Sequence, residues 1–222
     1  MSDRAIRWAG ASGIAFVVLI VITISISGSL PMADDPVSKI RNYYIDHRST
    51  LLWANLLAIL AIPFVLWFGV MLREMFRSDR LATALGTFSL AGLIMTAAIV
   101  MVGSSINVSV VYIDGAAQHY QPKLLRLMYD SQSLVFAAAS AGIVAFTLGA
   151  ALAIHRSRAL PSFTMWLALL AVVGNIVTVC TVLDAGAAII GIVGVAAFSL
   201  FILVTGITMA AGKASDMATA SG

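Results

Sequence analysis

Apolar residues along this chain gather into long runs separated by short polar stretches, rather than alternating at the period of a strand or of a half-buried helix. Six runs have spanning length, at residues 10–30, 51–72, 84–106, 133–154, 163–183 and 187–210. Each matches the ~20 apolar residues that a helix needs to cross a hydrocarbon core of about 30 Å. The last two follow from a length argument. As a single helix, residues 163–211 would extend about 74 Å at ~1.5 Å per residue, more than twice that thickness. The run must therefore fold back, and Asp184-Ala185-Gly186 is the polar, flexible break near its middle. The pattern predicts an all-α, polytopic helical bundle of six spans, forming one integral membrane domain over residues 1–222.

The first run follows Arg4 and Arg7 and leads into small residues, as a secretory signal would, but its 21 residues exceed an ordinary signal core. It is expected to remain as the first span. The connections differ in kind. Those after the second and fourth runs are short and basic. Those after the first and third are long, and each holds a proline-started amphipathic stretch. In the first, Asp35 is the expected N-cap and Pro36 the first helical residue, with Val37, Ile40 and Tyr44 sharing a face. In the second, Pro122 starts a turn that groups Leu124, Leu125 and Met128.

Composition strengthens this picture. Hydrophobic residues make up 61% of the chain and charged residues 10%, too few charges to cover a water-facing surface, so lipid must be part of the solvent. The basic balance, a net charge of +3, sits in clusters beside the apolar runs and points to membrane topology rather than to nucleic acid. Arg4, Arg7, Arg73, Arg77, Arg80, Arg156, Arg158 and Lys213 fall on one side; Lys39, Arg41, Arg48, Lys123 and Arg126 fall on the other. The larger group marks the cytoplasmic side, so both termini are expected in the cytoplasm and the long connections outside a plasma membrane. The single cysteine, Cys180, cannot form an intrachain disulfide and reads as a small apolar residue.

The fourth run carries a packing signal. Ala137, Ala141, Ala145, Gly149 and Ala153 repeat every four residues, with Ala138 and Gly142 beside them, and predict a smooth helix face for close approach of a neighbour in the bundle or in a homo-oligomer.

Polar residues inside spans point to function because each costs free energy in lipid. Asn55, Asn107, Thr181 and Asp184 are expected in the outer half, where Tyr112, Asp114 and His119 of the long connection could close over them. Together they form the candidate ligand site, with Asp184 as the candidate acid. Several chemistries lack their residues. No lysine lies inside a run for a retinal Schiff base, no histidines face each other within spans for a haem, and no acid sits at a midplane for coupled transport. No zinc-like spacing or phosphate loop occurs either, so no cofactor or metal is expected.

The chain has a short basic N-terminus, a "YYIDHRSTLLWANLLAIL" approach to the second span, a "LREMFRSDR" exit from it and a "RSRALPSFTMWLALL" turn into the fifth. In these features it resembles a family of small actinobacterial membrane proteins known only as a domain of unknown function. The resemblance implies six helices and no established activity, and it transfers no catalytic residue. The expected function is to hold a lipophilic molecule or a partner subunit through the outer half. Alternatives are a small cyclase- or isomerase-type enzyme using an aspartate acid on a lipid-like substrate, and a structural subunit of a membrane complex.

Overall fold

The computed structural model describes residues 3–32, 34–113, 116–180 and 188–211. The described chain is helical: α1 (Asp3–Ser27), α2 (Val37–Asp46), α3 (Arg48–Met75), α4 (Arg80–Val111), α5 (Ala116–His119), α6 (Pro122–Ser157), α7 (Ser162–Cys180) and α8 (Ala188–Ala210). Six of these, α1, α3, α4, α6, α7 and α8, are long and apolar enough to cross a membrane. The protein is a multi-pass, all-α membrane protein. The Asp184 hairpin lies outside the described residues.

Each span packs on the next one in the chain, and α8 returns to α1, so the six helices close into a ring. Large side chains fill its middle. Phe146 of α6 meets Phe198 and Phe201 of α8 edge-on at 6.0 Å, and Phe16 of α1 meets Phe198 at 6.1 Å. Phe68 and Leu93 complete the same buried cluster. Edge-to-face rings suit a dry interior, where they add to the packing of the apolar surface itself.

Glycine sets how closely the helices approach. A Cβ on Gly92 of α4 would stand 2.7 Å from the Gly142 carbonyl oxygen of α6; one on Gly149 would stand 2.9 Å from the Leu85 carbonyl oxygen. Two hydroxyls cross the same seam: Ser89 donates to Phe146 O at 2.7 Å and Thr96 donates to Ala139 O at 3.2 Å. The small-residue ladder divides here. Ala137, Gly149 and Ala153 are buried, Ala145 abuts Gly92 of α4, and Ala141 is exposed. Four residues turn a helix by about 400°, so a strict four-residue ladder drifts ~40° per step and cannot keep to one face.

Helices also overrun the apolar runs that locate them. The expected fourth span at 133–154 is the middle of a 36-residue helix beginning at Pro122, so the Pro122 amphipathic stretch continues into the span without a break. In the first long connection Pro36, not Asp35, is the N-cap of α2. The Asp35 carboxylate instead accepts from Met32 N and pairs with Lys39 at 2.8 Å, closing the turn before the helix. Gly28 ends α1 with a φ of +69°, the left-handed conformation that glycine adopts without penalty.

The basic turns lie on the side of the α1 N-terminus, called the near side below. There Asp79 caps α4 by accepting from Ala82 N at 2.8 Å and also accepts from Arg156 Nε at 3.2 Å, tying the α3–α4 turn to the end of α6.

Candidate functional site

On the far side, α2, α5 and the first turns of α6 form a cap with its own apolar cluster, including Ile40, Tyr43, Tyr44, Val110, Leu125 and Tyr129. The tyrosines here serve the fold. The Tyr43 hydroxyl donates to Ser27 O at 2.9 Å and the Tyr129 hydroxyl to Pro31 O, so both pin the linker after α1. Tyr44 lies edge-on between them, at 5.8 Å from Tyr43 and 6.4 Å from Tyr129. Burial pushes the Tyr43 hydroxyl up to about 12, with the neighbouring Tyr129 adding to the shift, and moves Tyr44 the same way. Asp35 is held below the ordinary carboxyl range by its hydrogen bond to Lys39 and then by Met32 N.

Arg48, at the start of α3, reaches the end of α4. Its Nε donates to Val111 O at 2.9 Å and its Nη2 to Tyr112 O at 3.0 Å. These carbonyls have no partner within their own helix, and a cation suits the negative end of the helix dipole. The clamp leaves the Tyr112 ring turned outward, at 71% exposure.

Beside it runs an open groove of about 450 Å³, lined by Ile59 of α3 and by Ser104, Ser105, Val108, Ser109, Tyr112 and Ile113. Ser105, Ser109 and Tyr112 are four and three residues apart and share one face of α4. Ser105 donates to Met101 O and Ser109 to Ile106 O, which leaves both oxygens free to accept. Across the groove, Pro63 has no N–H to give, so the carbonyl of Ile59 loses its usual partner four residues on. The wall is thus apolar with a polar stripe, and among the described residues it contains no carboxylate or imidazole.

Of the candidate ligand residues that are described, Tyr112 alone lines this groove. Asn55 is buried and turns back on its own helix, donating to Leu51 O at 2.7 Å. Asn107 is partly buried, and its Oδ1 has no hydrogen-bond partner. His119 is exposed on α5. Asp114, Thr181 and Asp184 lie outside the described residues. Among the described residues, no three His, Cys, Asp or Glu side chains gather as metal ligands would. Sequence reading passed over Val108 and Ser109 because it ended the third span at residue 106, and Ile59 because it is one apolar residue among many inside the second. Continuing the helical period through Val111 would have found the Ser105–Ser109–Tyr112 stripe.

Compared with protein-family models, curated proteins and solved structures, the chain has no match.

Proposed function

We propose that this protein binds a lipophilic molecule with a polar end, held in the groove between α3 and α4, and that the groove side faces out of the cell. The groove carries the reading. Its volume of about 450 Å³ falls within the usual range of small-molecule sites. Its polar stripe runs along the chain direction of α4 towards Tyr112, so a ligand's apolar length would lie on Ile59 and Val108 and its polar end near the aqueous boundary. The Lys/Arg asymmetry supports the outward orientation. Binding is favoured over catalysis because general acid–base chemistry needs a titratable group within hydrogen-bond reach, and the described residues of the groove wall offer a phenol alone. An acid from Asp114 or Asp184 would be needed to make it an enzyme.

The test is mass spectrometry of the protein released intact from native membranes. Ser105→Leu and Ser109→Leu fill the groove and should strip the co-purifying lipophilic species. Ser25→Leu, on the exposed face of α1, should retain it. The same bound species in all three variants would end the reading.

A further inference from the structure

Three serines of α4 line the α3–α4 groove, and they are not alike. Ser105 donates to Met101 O at 2.9 Å and Ser109 to Ile106 O at 2.6 Å. Each has given its one hydrogen to its own helix, so towards the groove each oxygen only accepts. On the opposite wall, Ile59 offers the carbonyl that Pro63 leaves without its usual partner, a further acceptor. Ser104 differs. It is 2% exposed, lines the same groove, and makes no side-chain hydrogen bond among the described residues. A buried hydroxyl without a partner costs free energy, and this one does not turn back on its helix as its neighbour does. Its hydrogen is left for whatever enters the groove.

The two demands are opposite in kind and adjacent in space, since consecutive Cα atoms lie about 3.8 Å apart. Ser104 needs an acceptor, and Ser105 needs a donor. A hydroxyl is the smallest group that is both: its hydrogen goes to Ser105 Oγ while a lone pair receives the Ser104 hydrogen. A protonated amine donates but cannot accept; an ether or ester accepts but cannot donate. A carboxylate or phosphate would bring negative charge towards the C-terminal, negative end of α4, on a wall that holds no cation among its described residues. Depth agrees. Ser104 lies about 36 Å along α4 from Arg80 at ~1.5 Å per residue, just past a ~30 Å hydrocarbon core. A hydroxyl held there sits at the membrane boundary, and Ile59 and Val108 remain for the apolar body.

Given that the groove is the binding site proposed above, we infer that its ligand is a lipophilic alcohol whose hydroxyl bridges Ser104 and Ser105.

Three probes of equal chain length test this. Hexadecan-1-ol donates and accepts, its methyl ether only accepts, and hexadecylamine at neutral pH only donates. The full chain in phosphatidylcholine nanodiscs is loaded with each probe at equal mole fraction, and bound copies are counted by native mass spectrometry. The alcohol should bind roughly tenfold tighter than either of the others, the difference one hydrogen bond makes at a buried group. Ser104→Ala should abolish that advantage without lowering the thermal midpoint, because it removes a hydroxyl with no partner in the fold. Equal binding of alcohol and ether, tighter binding of the amine, or an advantage that survives Ser104→Ala would overturn the alcohol and leave the groove as a site. A lower midpoint for Ser104→Ala would make the hydroxyl structural and overturn it too. No binding of any probe would overturn the groove reading itself, and the alcohol with it.

Discussion

Gly174 of α7 and Gly194 of α8 meet backbone to backbone: a Cβ on Gly174 would stand 2.7 Å from Gly194 Cα, and one on Gly194 2.8 Å from the Gly174 carbonyl oxygen. The next residue uses that closeness. Asn175, fully buried, donates from Nδ2 both to Ala171 O at 2.9 Å and to Gly194 O at 3.0 Å. Gly174→Ala should therefore separate the helices and break the amide bridge together. Overpacking of this kind commonly costs ~1–3 kcal/mol, seen as a lower thermal midpoint in detergent. An unchanged midpoint would mean that the crossing is loose.

The α4–α6 seam permits an internal comparison. A Cβ on Gly142 would stand 2.3 Å from the Thr96 hydroxyl and 2.7 Å from Gly92 O, whereas one on Gly103 would meet the tip of Val135 at 3.0 Å. Gly142→Ala should cost about 1–3 kcal/mol, and Gly103→Ala clearly less because a side chain can move aside. Thermal scans of both variants check the order.

Asp79 links stability to pH. Its carboxyl is held below its ordinary 3.8, first by the Ala82 amide and then by Arg156. A depressed folded-state value means that the stabilisation is present above pH 3.8 and lost as pH falls through the lower folded value. Asp79→Asn should lower the thermal midpoint at neutral pH, and the gap to the parent should close in acid below about pH 4. A gap that persists unchanged in acid would show that the charge is not what matters.

Tyr43 gives the opposite limb. Its hydroxyl, pushed up to about 12 by burial, favours the neutral fold. The stabilisation is complete below the ordinary value of 10 and is lost as pH rises from there towards 12. Tyr43→Phe removes this ionisation and the bond to Ser27 O, so the variant should be less stable near neutrality yet lose less stability above pH 10. Ultraviolet difference spectra of the phenolate follow the titration directly.

Orientation is open to direct labelling. In the Cys180→Ser background, Ser78→Cys should resist an impermeant thiol reagent in intact cells, while Ser38→Cys and Gln118→Cys, both exposed on the far side, should react. The reverse pattern would move the groove to the cytoplasm.

The spans were legible because hydropathy over ~20 residues reports lipid directly, whatever the packing. The faces were less so. Ala141 and Gly149 look equivalent in a four-residue ladder, yet Ala141 is exposed and Gly149 buried, because two four-residue steps turn a helix face by about 80°. The role of the far-side tyrosines was not legible either. Tyr43 and Tyr129 use their hydroxyls to hold the linker, a role that needs the partners Ser27 and Pro31 to be known. The groove was missed for a further reason: it lies where α4 continues past its apolar run, in residues such as Ser109 whose polarity reads as loop.

The return of α8 to α1, where a Cβ on Gly10 would lie 2.6 Å from Ala210 N, bears on biogenesis. A chain threaded into the bilayer from its beginning places α1 there long before its last neighbour has been made. Until then, the notch at Gly10 faces lipid, and the phenylalanine core has an open side. The ring is therefore closed by α8. A ribosome stalled before Gly206 would leave five inserted helices around an unfilled seat, a species that membrane quality control can distinguish from the closed ring.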